Sequence, residues 1–105
     1  MKAPRGRHPI TRERADVVKR FKRKCMKLGW TTEGALRQLI HSYLVNPYPF
    51  NARVQGGPSK GALLSSIHDD LDKVIAFRAH AIKAGITTGE AIRQLVAKDL
   101  EGKNV

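Results

Sequence analysis

Between Asp16 and Leu44 the apolar residues fall three and four apart: Val18, Phe21, Cys25 and Leu28. After a Gly29-Trp30-Thr31-Thr32 break they resume as Ala35, Leu36, Leu39, Ile40 and Tyr43. That spacing predicts two amphipathic helices. Gly29 stands where a helix C-terminus needs a positive φ, and Thr31 and Thr32 are N-cap candidates for the next helix. Trp30 can pack beside them as a hydrophobic staple. The same pattern returns 56 residues later. Leu71, Val74, Ile75, Phe77, Ala81 and Ile82 precede Gly85, Thr87 and Thr88, and Ala91, Ile92, Leu95, Val96 and Leu100 follow.

The recurrence is an internal repeat. Aligned without a gap, Asp16–Leu44 and Asp72–Leu100 are identical at 12 of 29 positions, including Phe21/Phe77, Gly29/Gly85, Arg37/Arg93 and Gln38/Gln94. Neither copy is long enough to bury both of its helices alone, so the copies are expected to pack on each other. Between them, Val45 to Lys60 contains Pro47, Pro49, Gly56, Gly57 and Pro58, which forbid a long helix. Tyr48 and Phe50 in this linker are expected to pin it to the body.

A short strand is expected ahead of each helix pair, within 6–12 and 61–68. Pro9 is a poor ladder residue there. Two strand phases are open. If Ile67 is buried, Ser66 and His68 face outward. If the repeat governs and Ile10 is buried, Ser65 and Ile67 face outward.

Twenty Lys and Arg against nine Asp and Glu give a net charge of +11. Residues 1–30 hold eleven basic residues against Glu13 and Asp16, while residues 61–105 hold six against six. Such asymmetry points to an anionic partner, above all nucleic acid. One cysteine, Cys25, forbids an intrachain disulfide and fits a reducing, cytoplasmic location. No run approaches a membrane span, and no apolar stretch follows the basic residues 1–10 as a secretory signal requires. His8, His41, His68 and His80 lack metal-ligand spacing, and no nucleophile set or phosphate-cradling glycine loop stands out. No cofactor, small-molecule substrate or enzymatic activity is therefore expected.

Gly29-Trp-Thr-Thr-Glu-Gly-Ala-Leu-Arg-Gln-Leu-Ile-His-Ser-Tyr-Leu44 resembles the second half of a ribbon-helix-helix domain, and Gly85–Leu100 resembles it more closely. The resemblance implies a mainly α fold with a short two-stranded antiparallel ribbon, a tandem ribbon-helix-helix pseudo-dimer in one chain. It would form a single intertwined domain over 1–105, with units at 6–44 and 61–101 joined by a linker at 45–60. The tandem form, the Asn46-Pro-Tyr-Pro-Phe-Asn51 linker and Asp69-Asp70 are similar to the TraY family of conjugative plasmids. That likeness implies sequence-specific binding of double-stranded DNA at a plasmid origin of transfer, as a relaxosome accessory protein with the relaxase as a partner. Self-association on DNA would follow from repeated sites.

In this arrangement the ribbon enters the major groove, with Arg7, Thr11, Arg12, Ser65, Ser66 and His68 as base contacts. Phosphate contacts would come from the second-helix N-termini, at Thr31, Thr32, Gly34, Thr87 and Thr88, and from Lys22, Arg23, Lys24 and Lys27 of the first helix. Arg37 and Arg93 read equally as structural ties or DNA contacts. Two other roles stay open on the same fold: a transcriptional repressor, and an antitoxin-like or scaffold protein acting mainly through protein binding. Antitoxins of this fold add a toxin-wrapping tail, and only Glu101–Val105 follow the last helical stripe.

Overall fold

A computed structural model describes residues 4–51 and 61–102. Four helices dominate: α1 (Ala15–Leu28), α2 (Thr32–Val45), α3 (Leu71–Ala84) and α4 (Thr88–Gly102). Four short strands accompany them: β1 (Arg5–His8), β2 (Arg12–Glu13), β3 (Ala62–Leu63) and β4 (Ile67–Asp70). None of these helices is long and apolar enough to cross a membrane.

Both helix pairs are joined in the same way. Gly29 and Gly85 sit at φ 74° and 78°, a region that side chains with a Cβ rarely adopt. The Trp30 amide donates to the Cys25 carbonyl (2.9 Å) and the Gly29 amide to Met26 (3.2 Å); Ile86 and Gly85 repeat this on Ala81 and Ile82. This pair of hydrogen bonds closes each helix and pairs carbonyls that its end would otherwise leave unsatisfied. Thr31 then caps α2 by accepting the Gly34 amide (2.9 Å), and Thr87 accepts the Glu90 amide (3.0 Å). Each cap satisfies one of the amide donors that a helix start leaves unpaired.

The core takes one stripe from each helix: Val18, Phe21 and Cys25; Leu36, Ile40 and Tyr43; Phe77 and Ala81; Ala91, Ile92, Leu95, Val96 and Leu100. Helices α2 and α4 pack on each other, as the breadth of their apolar faces requires. Leu64 and Ile67 close the core from the strands. Tyr48 and Phe50 do pin the first part of the linker: Phe50 is buried, and the Tyr43 hydroxyl donates to the Tyr48 carbonyl (2.9 Å).

Strand β1 pairs antiparallel with β4, placing Arg5 opposite Asp70, Arg7 opposite His68 and His8 opposite Ile67. Strand β2 pairs antiparallel with β3, placing Arg12 opposite Leu63. Both ladders keep one register, so together they make one interrupted ribbon. The break falls at Pro9, which has no amide hydrogen to give a ladder. Beyond it the Leu64 amide again donates across, to the Thr11 carbonyl (2.9 Å).

Side-chain alternation also slips at the break. His8 and Thr11 are buried three positions apart, and so are Leu64 and Ile67, their counterparts in the repeat. The two strand phases left open by the sequence both assumed unbroken alternation. With the slip, Ile67 is buried while Ile10 is 50% exposed, and the ungapped repeat still holds.

Candidate nucleic-acid interface

The outer surface of the ribbon is basic near its middle. Arg7 and His68 face each other across the strands, and both are exposed. Arg12 is exposed further along and donates to the Gly61 carbonyl (3.2 Å). Ser65 and Ser66 are half-buried, with the Ser65 hydroxyl donating to the Ser66 carbonyl (3.0 Å). Arg5 lies at the ribbon end in an ion pair with Asp70 (2.9 Å). Ile10 and Leu63 place apolar side chains on the same exposed surface.

Thr11 does not join this surface. It is 3% exposed, its hydroxyl reaches the Pro9 carbonyl (3.4 Å), and it lies against Gly89 at the start of α4. The slip at Pro9 turns it inward, so its assignment as a base contact is corrected to a core position.

The ribbon is held from both edges by the repeated arginines. Arg37 Nε donates to the His68 carbonyl (2.8 Å), and Arg93 donates to the Arg12 carbonyl (3.2 Å). His68 and Arg12 are themselves repeat counterparts. Each unit's arginine thus clamps the other unit's strand, which decides their role in favour of a structural tie. A guanidinium suits this task because its donors lie in one rigid plane.

The clamps differ in one partner. Glu33 accepts the His68 amide (2.8 Å), approaches the His68 ring (3.1 Å) and pairs with Arg37 (3.1 Å). These contacts, first the His68 amide and ring, hold its carboxyl below the usual range despite some burial. In the second unit the Glu-Gly order is reversed, so Gly89 replaces Glu33 and Glu90 pairs with Arg93 instead (3.0 Å).

Thr31 and Thr87 spend their oxygen on the capped amides but keep a hydroxyl hydrogen to donate. The Gly34 amide is taken by Thr31, which removes it as a phosphate donor. Thr32 and Thr88 open the two helices, and their amides have no hydrogen-bond acceptor among the described residues.

The basic run of α1 is not one surface. Lys24 is half-buried and bound to Asp99, at 2.8 Å to the carboxylate and 3.3 Å to the carbonyl. This ion pair ties α1 to α4, so Lys24 is corrected from a phosphate contact to a structural one. Arg20, Arg23 and Lys27 gather around Leu100 at the same end of α4. The other end of α4 meets the ribbon where Gly89 lies against Thr11. Thirteen residues of α-helix between Thr88 and Leu100 separate the two ends by about 18 Å. Arg23 and Lys27 therefore stand apart from the ribbon surface, and Lys22 is exposed.

Beneath the ribbon lies a buried ionic cluster that its residue spacing did not reveal. Asp69, 1% exposed, receives His41 at 2.8 Å and its own neighbour's amide, Asp70, at 2.8 Å. His8, fully buried, approaches Asp69 at 3.5 Å and leaves Nδ1 without a partner among the described residues. Burial presses the His8 pKa below its ordinary value, against the opposing pull of Asp69. Burial also acts to raise the Asp69 pKa, but the His41 and Asp70 hydrogen bonds and the His41 charge outweigh it and hold the carboxyl low. Among the described residues no group of three or more His, Cys, Asp or Glu side chains could hold a metal ion. No protein-family model, curated protein or solved structure matches the chain.

Proposed function

We propose that the chain is a tandem ribbon-helix-helix protein that binds double-stranded DNA sequence-specifically, with its ribbon in the major groove. The observation that carries this reading is the exposed cross-strand pair Arg7 and His68, with Arg12 beyond it, on a ribbon clamped at both edges. A major groove admits a two-stranded ribbon, and arginine is the strongest reader of guanine. Ser65 and Ser66 are weaker readers at the ribbon centre. The starts of α2 and α4, with Thr31, Thr32, Thr87 and Thr88, would grip flanking phosphates. Lys22 adds general attraction.

The role at a plasmid origin of transfer, as a relaxosome accessory protein, rests on the likeness of the helix-pair motif and linker to the TraY family. A footprint on DNA from the chain's own replicon, at two salt concentrations, tests both levels. Protection beside a relaxase nick site that persists at higher salt supports the proposed role. Protection confined to a promoter replaces it with a repressor. Weak, uniform protection lost at higher salt means charge-driven binding and sinks readout by the ribbon. Arg7→Ala is expected to weaken specific binding by about 1–3 kcal/mol and to relax the preference at one base position. Lys22→Ala should weaken all sequences alike.

A further inference from the structure

The described end of the linker, through Asn51, packs between the end of α2 and the second unit. Phe50 stacks on Tyr43, with 4.6 Å between ring centroids, and meets Phe77 edge-on at 6.1 Å. Asn51 is then held by Gln94 through both of its peptide groups. Its amide donates to Gln94 Oε1 (2.9 Å), and its carbonyl accepts from Gln94 Nε2 (2.7 Å). Residues 47–50 thereby lie along the second unit and, with Tyr43, His80, Lys83 and Ala84, wall a cavity of about 390 Å³; Ile86 is buried.

The first unit has the counterpart groove, and no described linker residue lines it. A cavity of about 190 Å³ lies between α1, α2 and the end of α4. Its lining follows the repeat. Phe21 stands for Phe77, Leu28 for Ala84, Lys24 for His80 and Asp99 for Tyr43. Gln38 stands for Gln94. It is exposed and makes no hydrogen bond among the described residues. Trp30 stands for Ile86, and it is 47% exposed where Ile86 is 7% exposed. No ribbon residue lines the cavity.

We propose that this groove docks an extended, proline-flanked aromatic segment of a partner protein, held as residues 48–51 are held in the second unit. The aromatic ring would lie over Phe21 and against Trp30. Gln38 would pair with the peptide group that follows it, as Gln94 pairs with Asn51. The chain itself supplies the precedent for the occupant, since its own Pro-Tyr-Pro-Phe-Asn segment fits the matching groove. That segment lies against the second unit, and among the described residues no other extended segment of this chain lines the first groove. An amide side chain paired to a backbone recognises chain shape, and the pocket beside it recognises the ring.

Trp30 is the sole tryptophan, so its emission reads this groove in the full chain. The probe is the capped hexapeptide Asn-Pro-Tyr-Pro-Phe-Asn, the sequence of residues 46–51. Titration is expected to shift Trp30 emission saturably. Gln38→Ala should weaken the binding about tenfold, since two hydrogen bonds are lost, and a peptide with Ala for Phe should not saturate. Gln38 is exposed, so its variant should keep the helical circular dichroism of the parent and its DNA footprint. No saturable shift, or one that ignores both Gln38→Ala and the altered peptide, overturns the proposal. A shift that appears without peptide as protein concentration rises, together with a dimer in sedimentation equilibrium, assigns the groove to a second copy and also overturns it. Loss of DNA binding alone would count against the proposed function and leave this inference standing.

Discussion

Phe21 and Phe77 occupy the same repeat position, and both are buried. Around Phe77 the space is closed by rings: His8 at 5.8 Å, Tyr43 at 5.9 Å and Phe50 at 6.1 Å, all edge-on. Phe21 lines an open groove beside an ion pair. Their helices differ in the same sense. Helix α1 carries Lys19, Arg20, Lys22, Arg23, Lys24 and Lys27, whereas α3 carries Lys73, Arg78 and Lys83 and exposes Ile75 and Ile82. The two units keep a common floor because they must pack on each other. They diverge wherever a surface meets something else. A homodimer has no such freedom, since every change appears in both of its halves.

The largest test of this comparison is on the two phenylalanines. Phe77→Ala is expected to cost about 4 kcal/mol, because the ring cluster around it cannot collapse. Phe21→Ala should cost about 3 kcal/mol, since its surroundings open to solvent on one side. A difference of about 1 kcal/mol is about 4–8 °C in Tm for a domain of this size. Equal losses by thermal or urea unfolding would mean that the groove and the ring cluster are energetically alike.

A second test uses His8, whose repeat counterpart is the buried Leu64. The folded His8 pKa lies below its ordinary 6.5, so on acidification the unfolded chain takes this proton first. Stability contributed by the neutral ring is therefore present above about pH 6.5 and is lost as pH falls through that value. Asp69 acts lower down. Its folded pKa lies below 3.8, so its contribution is present above that value and is lost as pH falls through the folded pKa. Stability measured against pH should thus fall in two stages. His8→Leu should erase the upper stage and leave the lower one. An unchanged upper stage would assign it to another group.

The fold was largely legible because two periods were written twice. The helical spacing, the Gly29 and Gly85 turns and the threonine caps each appear at both repeat positions, and local signals of this kind survive packing. The strand phase was not legible, because the slip at Pro9 depends on two strands kinking together. Hydrophobicity pointed to Ile67 as an inner residue, which is buried, while the repeat with unbroken alternation pointed to Ile10, whose place Thr11 took beside Gly89. At the candidate site, Arg7, Arg12 and His68 were readable from charge and strand position. The partners of Lys24 and Glu33 were not, because both lie on distant segments. For Arg37 and Arg93 the signal was present in their exact recurrence, which a clamp demanded by both units explains.

The smallest expected effect concerns the one clamp partner that does not recur. Glu33 accepts the His68 amide at the ribbon edge, while Gly89 offers no carboxylate to the Arg12 amide at the matching place. An amide held by a carboxylate opens less often to solvent, so His68 should exchange its amide hydrogen more slowly than Arg12. Glu33→Gly makes the first clamp resemble the second. It should bring the His68 rate toward that of Arg12 while costing less than about 1 kcal/mol overall, because Glu33 and Arg37 are both partly exposed. The Arg37 bond to the His68 carbonyl would remain, so the ribbon should keep its register. If the two amides exchange alike in the parent protein, Glu33 adds nothing that a bare arginine clamp lacks. If Glu33→Gly instead loosens the whole ribbon, the edge of the first unit depends on its carboxylate in a way the second unit does without.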